Sequence, residues 1–190
     1  MTAEFCLTRR RRGLHSLQIA ELLGAGKDEE KQMKDSLRTG ITFGLTSAVI
    51  TTLGLMVGLN SGTGSKLVVI GGVITIAIAD AFSDALGIHV SEESENVHTT
   101  SQIWGATIAT FLSKFVFALT FVVPIILLPL STAIVVCLVW GLSILTILSY
   151  FMARTQGKRP WKIIGEHVLI AIVVIAVTHW VGDWVATLAA

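Results

Sequence analysis

The chain has 190 residues, 53% hydrophobic and 14% charged, with a mean hydropathy of +0.75. That balance lies outside the range of soluble globular domains and points to an integral membrane protein. The formal net charge of +1 says little by itself, and no nucleic-acid partner is expected.

The chain opens on a basic segment, Arg9 to Arg12, followed by "GLHSLQIAELLGAG". This stretch lacks the uninterrupted apolar core of a signal peptide. Leu14 to Ser36 reads as a surface helix lying against an anionic inner leaflet, or alternatively as an unstructured basic tail. Residues 1–38 are thus expected to be a basic, amphipathic cytoplasmic segment ahead of a membrane domain, 39–190.

Five apolar runs follow, at about 40–59, 67–90, 102–128, 131–153 and 163–188. Each is near the ~20 residues a helix needs to cross the hydrocarbon core. The fold class expected is therefore an all-α integral membrane protein with five transmembrane helices. Lys and Arg precede the first run and recur between the fourth and fifth as Arg154, Lys158, Arg159 and Lys162, whereas the opposite loops hold only Lys66. Basic residues near span ends stay inside, so the N-terminus is expected in the cytoplasm and the C-terminus outside or in a lumen. Cys6 and Cys137 then have no disulfide partner.

In the first run, Gly40, Gly44, Gly54 and Gly58 form two small-xxx-small pairs, which suit close helix packing within the chain or between two copies. "NSGTGSK" reads as a flexible outer loop and "PIILLP", with Pro124 and Pro129, as a tight outer turn. Trp104, Trp161, Trp180 and Trp184 fall near run ends, where amphipathic rings suit an interface.

The second run holds Asp80 near its middle and Asp84 one turn later on the same face, with Ser83 beside them. An acid at bilayer depth costs several kcal/mol unless paired, protonated or hydrated, so such residues mark ion pathways or internal partners. Lys114, at similar depth in the third run, offers an ion pair to Asp80 as the alternative to a pathway. Beyond the run, His89, Glu92, Glu93, Glu95 and His98 form either a cation-gathering mouth or a solvated acidic loop. In the fifth run, His179 and Asp183 are four apart and read as a local pair. His89 and that pair fall at opposite ends, which argues against a shared hydrolytic site. No G-x-G-D motif supports an aspartyl protease.

"FGLTSAVITTLGLMVG", Phe43 to Gly58, resembles the first-span motif of the vacuolar iron transporter family, and "ADAFSDALG" resembles its second-span motif. "ATFLSKFVFALTFVVPIILLP", "ARTQGKRPW" and "AVTHWVGDWV" are similar to its third span, basic loop and fifth-span ending. The resemblance covers about 40–190 and implies a homodimer that moves Fe²⁺ or Mn²⁺ out of the cytoplasm against protons. No tightly bound cofactor is implied; the metal is substrate. The membrane would be the plasma membrane of a prokaryote or a vacuolar-type membrane of a eukaryote. Departures fall at key positions: the family's first-span Asp aligns with Ser47, its second-span Met with Asp84 and the following acid with Ile88, and the cytoplasmic metal-binding insert is missing. The expected pathway is Asp80, Asp84, Ser83, Ser47, Thr46 and Lys114, with Asp84 and Asp80 as intramembrane metal ligands and His89, Glu92, Glu93 and Glu95 gathering metal at the mouth. The alternative is a non-transporting structural or regulatory membrane protein stapled by Asp80–Lys114.

Overall fold

From Gly26 to Asn60 the sequence has no proline and no two adjacent glycines, so no backbone constraint stops a helix that has begun. The computed structural model describes residues 3–189, with side chains described for residue 24 and for 26–188. Its elements are α1 (Ala3–Thr63), α2 (Lys66–Ser94), α3 (Thr100–Thr120), α4 (Val122–Leu127), α5 (Leu130–Thr155) and α6 (Pro160–Ala189), with no strand among the described residues. Five stretches, Gly26–Thr63, Lys66–Ser94, Thr100–Leu127, Leu130–Thr155 and Pro160–Leu188, are long and apolar enough to cross a membrane.

One expectation changes at the start. Leu14 to Ser36 is not a separate surface helix: α1 passes through the expected boundary at residue 38 without a break. At 1.5 Å per residue its last 38 residues span about 57 Å, well beyond a hydrocarbon core of about 30 Å. The excess is the charged stretch Lys27–Asp35, exposed apart from Met33 and carrying a Lys34–Glu30 pair at 2.5 Å. The side chains of Leu14–Leu23, on which leaflet contact would depend, lie outside the described ones.

Each helix ends for a local reason. Gly64, at φ +59°, takes the left-handed conformation that closes α1, and Ser65 then caps α2 by accepting from the Val68 amide. Thr99 and Gln102 form a reciprocal capping box at the start of α3. Pro124 has no N–H for the Thr120 carbonyl, and the helix breaks at Phe121, with α4 continuing beyond it. The outer turn is therefore Leu128–Pro129 alone, rather than the whole of "PIILLP". Lys66 Nζ donates to the Ile126 and Leu128 carbonyls at 2.9 and 3.1 Å, satisfying groups freed at that turn. Gly157, at φ +64°, closes α5, and Pro160 opens α6, where its missing N–H costs nothing.

Helix α1 is the central element and packs against α2, α3, α5 and α6. Half of its apolar window is buried, against 11% for α6. Its core residues Val49, Leu53 and Met56 meet Val69 and Val73 of α2, Phe121, Ile125 of α4, and Cys137 and Leu145 of α5. The outward faces of α2, α3, α5 and α6 remain apolar, as Phe82, Leu86, Ile108, Val139 and Val173 illustrate. Water would penalise so continuous an apolar exterior, whereas lipid would not.

Candidate functional site

The four glycines of α1 decide which neighbours approach. A Cβ on Gly40 would strike the Ala106 carbonyl, and one on Gly44 would lie 2.7 Å from the Thr110 carbonyl, so α1 and α3 touch backbone to backbone. A Cβ on Gly54 would meet the Val174 side chain of α6 at 2.7 Å, and one on Gly58 the Thr178 carbonyl of α6 at 3.1 Å. Both small-xxx-small pairs are thus used inside the chain. They no longer argue for a dimer.

One turn beyond Gly44, the α1–α3 contact brings Ser47 to Lys114, with α2 closing the third side. Lys114 is 1% exposed, and its stem fills the space between the helices. Its Nζ donates to Ser47 Oγ at 2.7 Å and to Asp84 Oδ2. Ser47 Oγ in turn donates to Asp84 Oδ2 at 2.6 Å, so hydroxyl, ammonium and carboxylate form a closed ring. Asp80 Oδ2 also lies 2.6 Å from Nζ, but off the direction of a hydrogen bond; that oxygen is buried and accepts from no donor. Asp80 is therefore the less satisfied acid. With both acids ionised, two negative charges face one positive charge, leaving a formal charge of −1 at the middle of α2.

The other expected residues are dispersed. Ser83 is exposed on the outer face of α2 and does not join the acids. Its 60° offset from Asp80 turns it away from the contact. Thr46 points to the other side of α1, where its buried Oγ1 has no partner. There it lines a cleft of about 550 Å³ between α1, α5 and α6, together with Thr39, Thr42, Met152 and His167.

The acidic mouth also divides. His89 Nδ1 is 3.0 Å from Thr107 Oγ1 and its ring meets Trp104 edge-on, so it belongs to the α2–α3 contact. His98 Nε2 lies 3.4 Å from carboxylate oxygens of both Glu92 and Glu95, while Glu93 is exposed. Among the described residues, no three His, Cys, Asp or Glu side chains are grouped to hold a metal ion. The expected gathering of His89 with Glu92, Glu93 and Glu95 is not present as a ligand set, because His89 and Glu92 are already engaged by different neighbours.

At the opposite end, His179 and Asp183 are joined through Ser61 of α1. Ser61 Oγ donates to Asp183 Oδ1 and lies 2.7 Å from His179 Nδ1, while the direct His179–Asp183 separation is 3.7 Å. Both side chains are more than half exposed.

Sequence reasoning missed Ser149 and His167. Ser149 is fully buried; its Oγ donates to the Leu145 carbonyl at 2.7 Å and lies 2.8 Å from His167 Nδ1. A histidine within the fifth apolar run was the available signal.

Fold and site together define a helical chain with five helices fit to cross a membrane and a part-buried acid–serine cluster around the buried Lys114 among the first three. The chain matched no protein-family model, no curated protein and no solved structure.

Proposed function

We propose that the protein is a multi-pass membrane transporter of the vacuolar iron transporter type, moving a divalent cation, Fe²⁺ or Mn²⁺, out of the cytoplasm in exchange for protons and acting as a homodimer. The observation that carries this reading is the convergence of Asp80, Asp84 and Ser47 at the centre of the first three long helices. Carboxylate and hydroxyl oxygens suit hard to borderline divalent ions, and Ser47 and Asp84 stand where the family motifs have an acid and a thioether. Asp80 Oδ2, although 2.6 Å from the Lys114 ammonium, accepts no hydrogen bond and so keeps a free coordination direction. Flux of Fe²⁺ or Mn²⁺ into proteoliposomes under an imposed proton gradient tests it. Asp84→Ala abolishes that flux; no flux of either ion by the wild type, or full flux in Asp84→Ala, rejects the proposal.

A second reading rests on Lys114. Its contacts with both acids are those of an internal staple in a structural or regulatory membrane protein. Exchanging the charges, Asp84→Lys with Lys114→Asp, restores thermal stability under this reading, and the wild type then transports no cation.

A further inference from the structure

Lys114 occupies the place a cation would take, and this has a consequence for selectivity. An ammonium that donates to Ser47 and Asp84, and contacts Asp80, presents one positive charge to the three side chains that would coordinate an ion. With 1% exposure it is held there by α1, α2 and α3 rather than by chance collapse of a surface side chain. Tethering sets its effective concentration at the seat in the millimolar range or above, so any soluble ion competes against an occupant that never leaves the molecule. The seat nevertheless holds two acids to one lysine, and Asp80 Oδ2, 2.6 Å from the ammonium, accepts no hydrogen bond.

We propose that Lys114 is the specificity-determining residue of this seat: a tethered cation that a divalent ion must displace in order to bind Asp80, Asp84 and Ser47. The inference deepens the transporter reading and rests on it, but makes a separate claim about what fills the seat. Displacement raises the threshold for weakly bound ions. A divalent ion brings twice the charge to the same two carboxylates that the ammonium contacts, whereas a monovalent ion offers no more charge than the lysine already supplies.

The test is equilibrium binding of Mn²⁺ to the full-length protein in detergent, measured by titration calorimetry and by the shift in unfolding temperature. Lys114→Met binds Mn²⁺ about tenfold or more tightly than the wild type, since it empties the seat while keeping the length of the stem. Lys114→Met/Asp84→Asn loses that gain. Should Lys114→Met not fold without metal, the comparison moves to Asp80→Asn against Asp80→Asn/Lys114→Met, in which only one carboxylate remains, and the second variant binds Mn²⁺ more tightly than the first. Equal or weaker binding on removal of Lys114 in either pair, or a gain that survives Asp84→Asn, overturns the inference. Wild-type flux fails independently: a protein that transports while Lys114→Met gains no affinity rejects the tethered cation alone. One that gains affinity without any wild-type flux rejects transport alone.

Discussion

Lys114 of α3 and Asp84 of α2 meet in the interior of the bundle, and Ser47 of α1 binds both of them. Three helices are thereby locked at one point. Asp84 receives two donors, whereas Asp80 has only an ill-directed ion pair. Removing one partner of a buried ion pair leaves an uncompensated charge, at a cost of about 3–5 kcal/mol. Lys114→Ala is therefore expected to lose that much stability in metal-free detergent solution. Asp84→Asn lowers the unfolding temperature more than Asp80→Asn, and Ser47→Ala costs about 1 kcal/mol. Denaturation of the four variants gives the order directly; equal losses for the two aspartates contradict the geometry.

Helix approach at Gly44 controls the same cluster from a distance. Gly44→Ala places a Cβ 2.7 Å from the Thr110 carbonyl, which is backbone and cannot rotate away. The helices must separate, at a cost of about 1–3 kcal/mol for overpacking, and Ser47 is drawn from Lys114. Gly87 and Gly71 have nothing within 4 Å of an added Cβ. Alanine at either is neutral or stabilises by up to about 1 kcal/mol through helix propensity. A thermal-shift series over the three positions separates packing from propensity.

Ser61, His179 and Asp183 contain the residue types of a nucleophilic triad but not its arrangement. Ser61 lies between the other two, bonding both, whereas a triad places the histidine between hydroxyl and carboxylate. Ser61→Ala is expected to cost less than about 1 kcal/mol, because both of its partners, His179 and Asp183, are more than half exposed. A fluorophosphonate probe, which labels activated serines, leaves the wild type unmodified. Covalent labelling lost in Ser61→Ala would reverse this conclusion.

The bundle places Arg38 beside Thr155 and Gln156 at one end, and Lys66 beside the Leu128–Pro129 turn at the other. With basic residues retained in the cytoplasm, and with Cys6→Ser in the background, Lys158→Cys reacts with an impermeant maleimide only from the cytoplasmic side of the membrane and Lys66→Cys only from the opposite side. Native Cys137, fully buried, stays unlabelled until the protein is denatured. Labelling of both introduced cysteines from one side would contradict the three crossings between residues 66 and 158, those of Lys66–Ser94, Thr100–Leu127 and Leu130–Thr155.

What the sequence determined by itself was the number and position of the long apolar helices. Hydropathy over about twenty residues is a local property, and Gly64, Pro129 and Pro160 punctuate it through their own backbone constraints. The presence of Asp80, Asp84 and Lys114 within those helices was equally legible, because a charge in an apolar run needs no neighbour to stand out. The tertiary structure alone decided how they pair. Periodicity put Asp80 and Asp84 on one face and similar depth suggested Asp80 as the partner of Lys114, but the packing of α3 against the glycines of α1 brings Nζ to both acids and aligns it with Asp84. It also turned Ser83 outward, sent Thr46 to the opposite side of α1, and separated His89 from the glutamates near it in sequence. Such choices depend on backbone approach between helices distant in the chain, set by where Gly40 and Gly44 let α3 come close, and no local pattern encodes that distance.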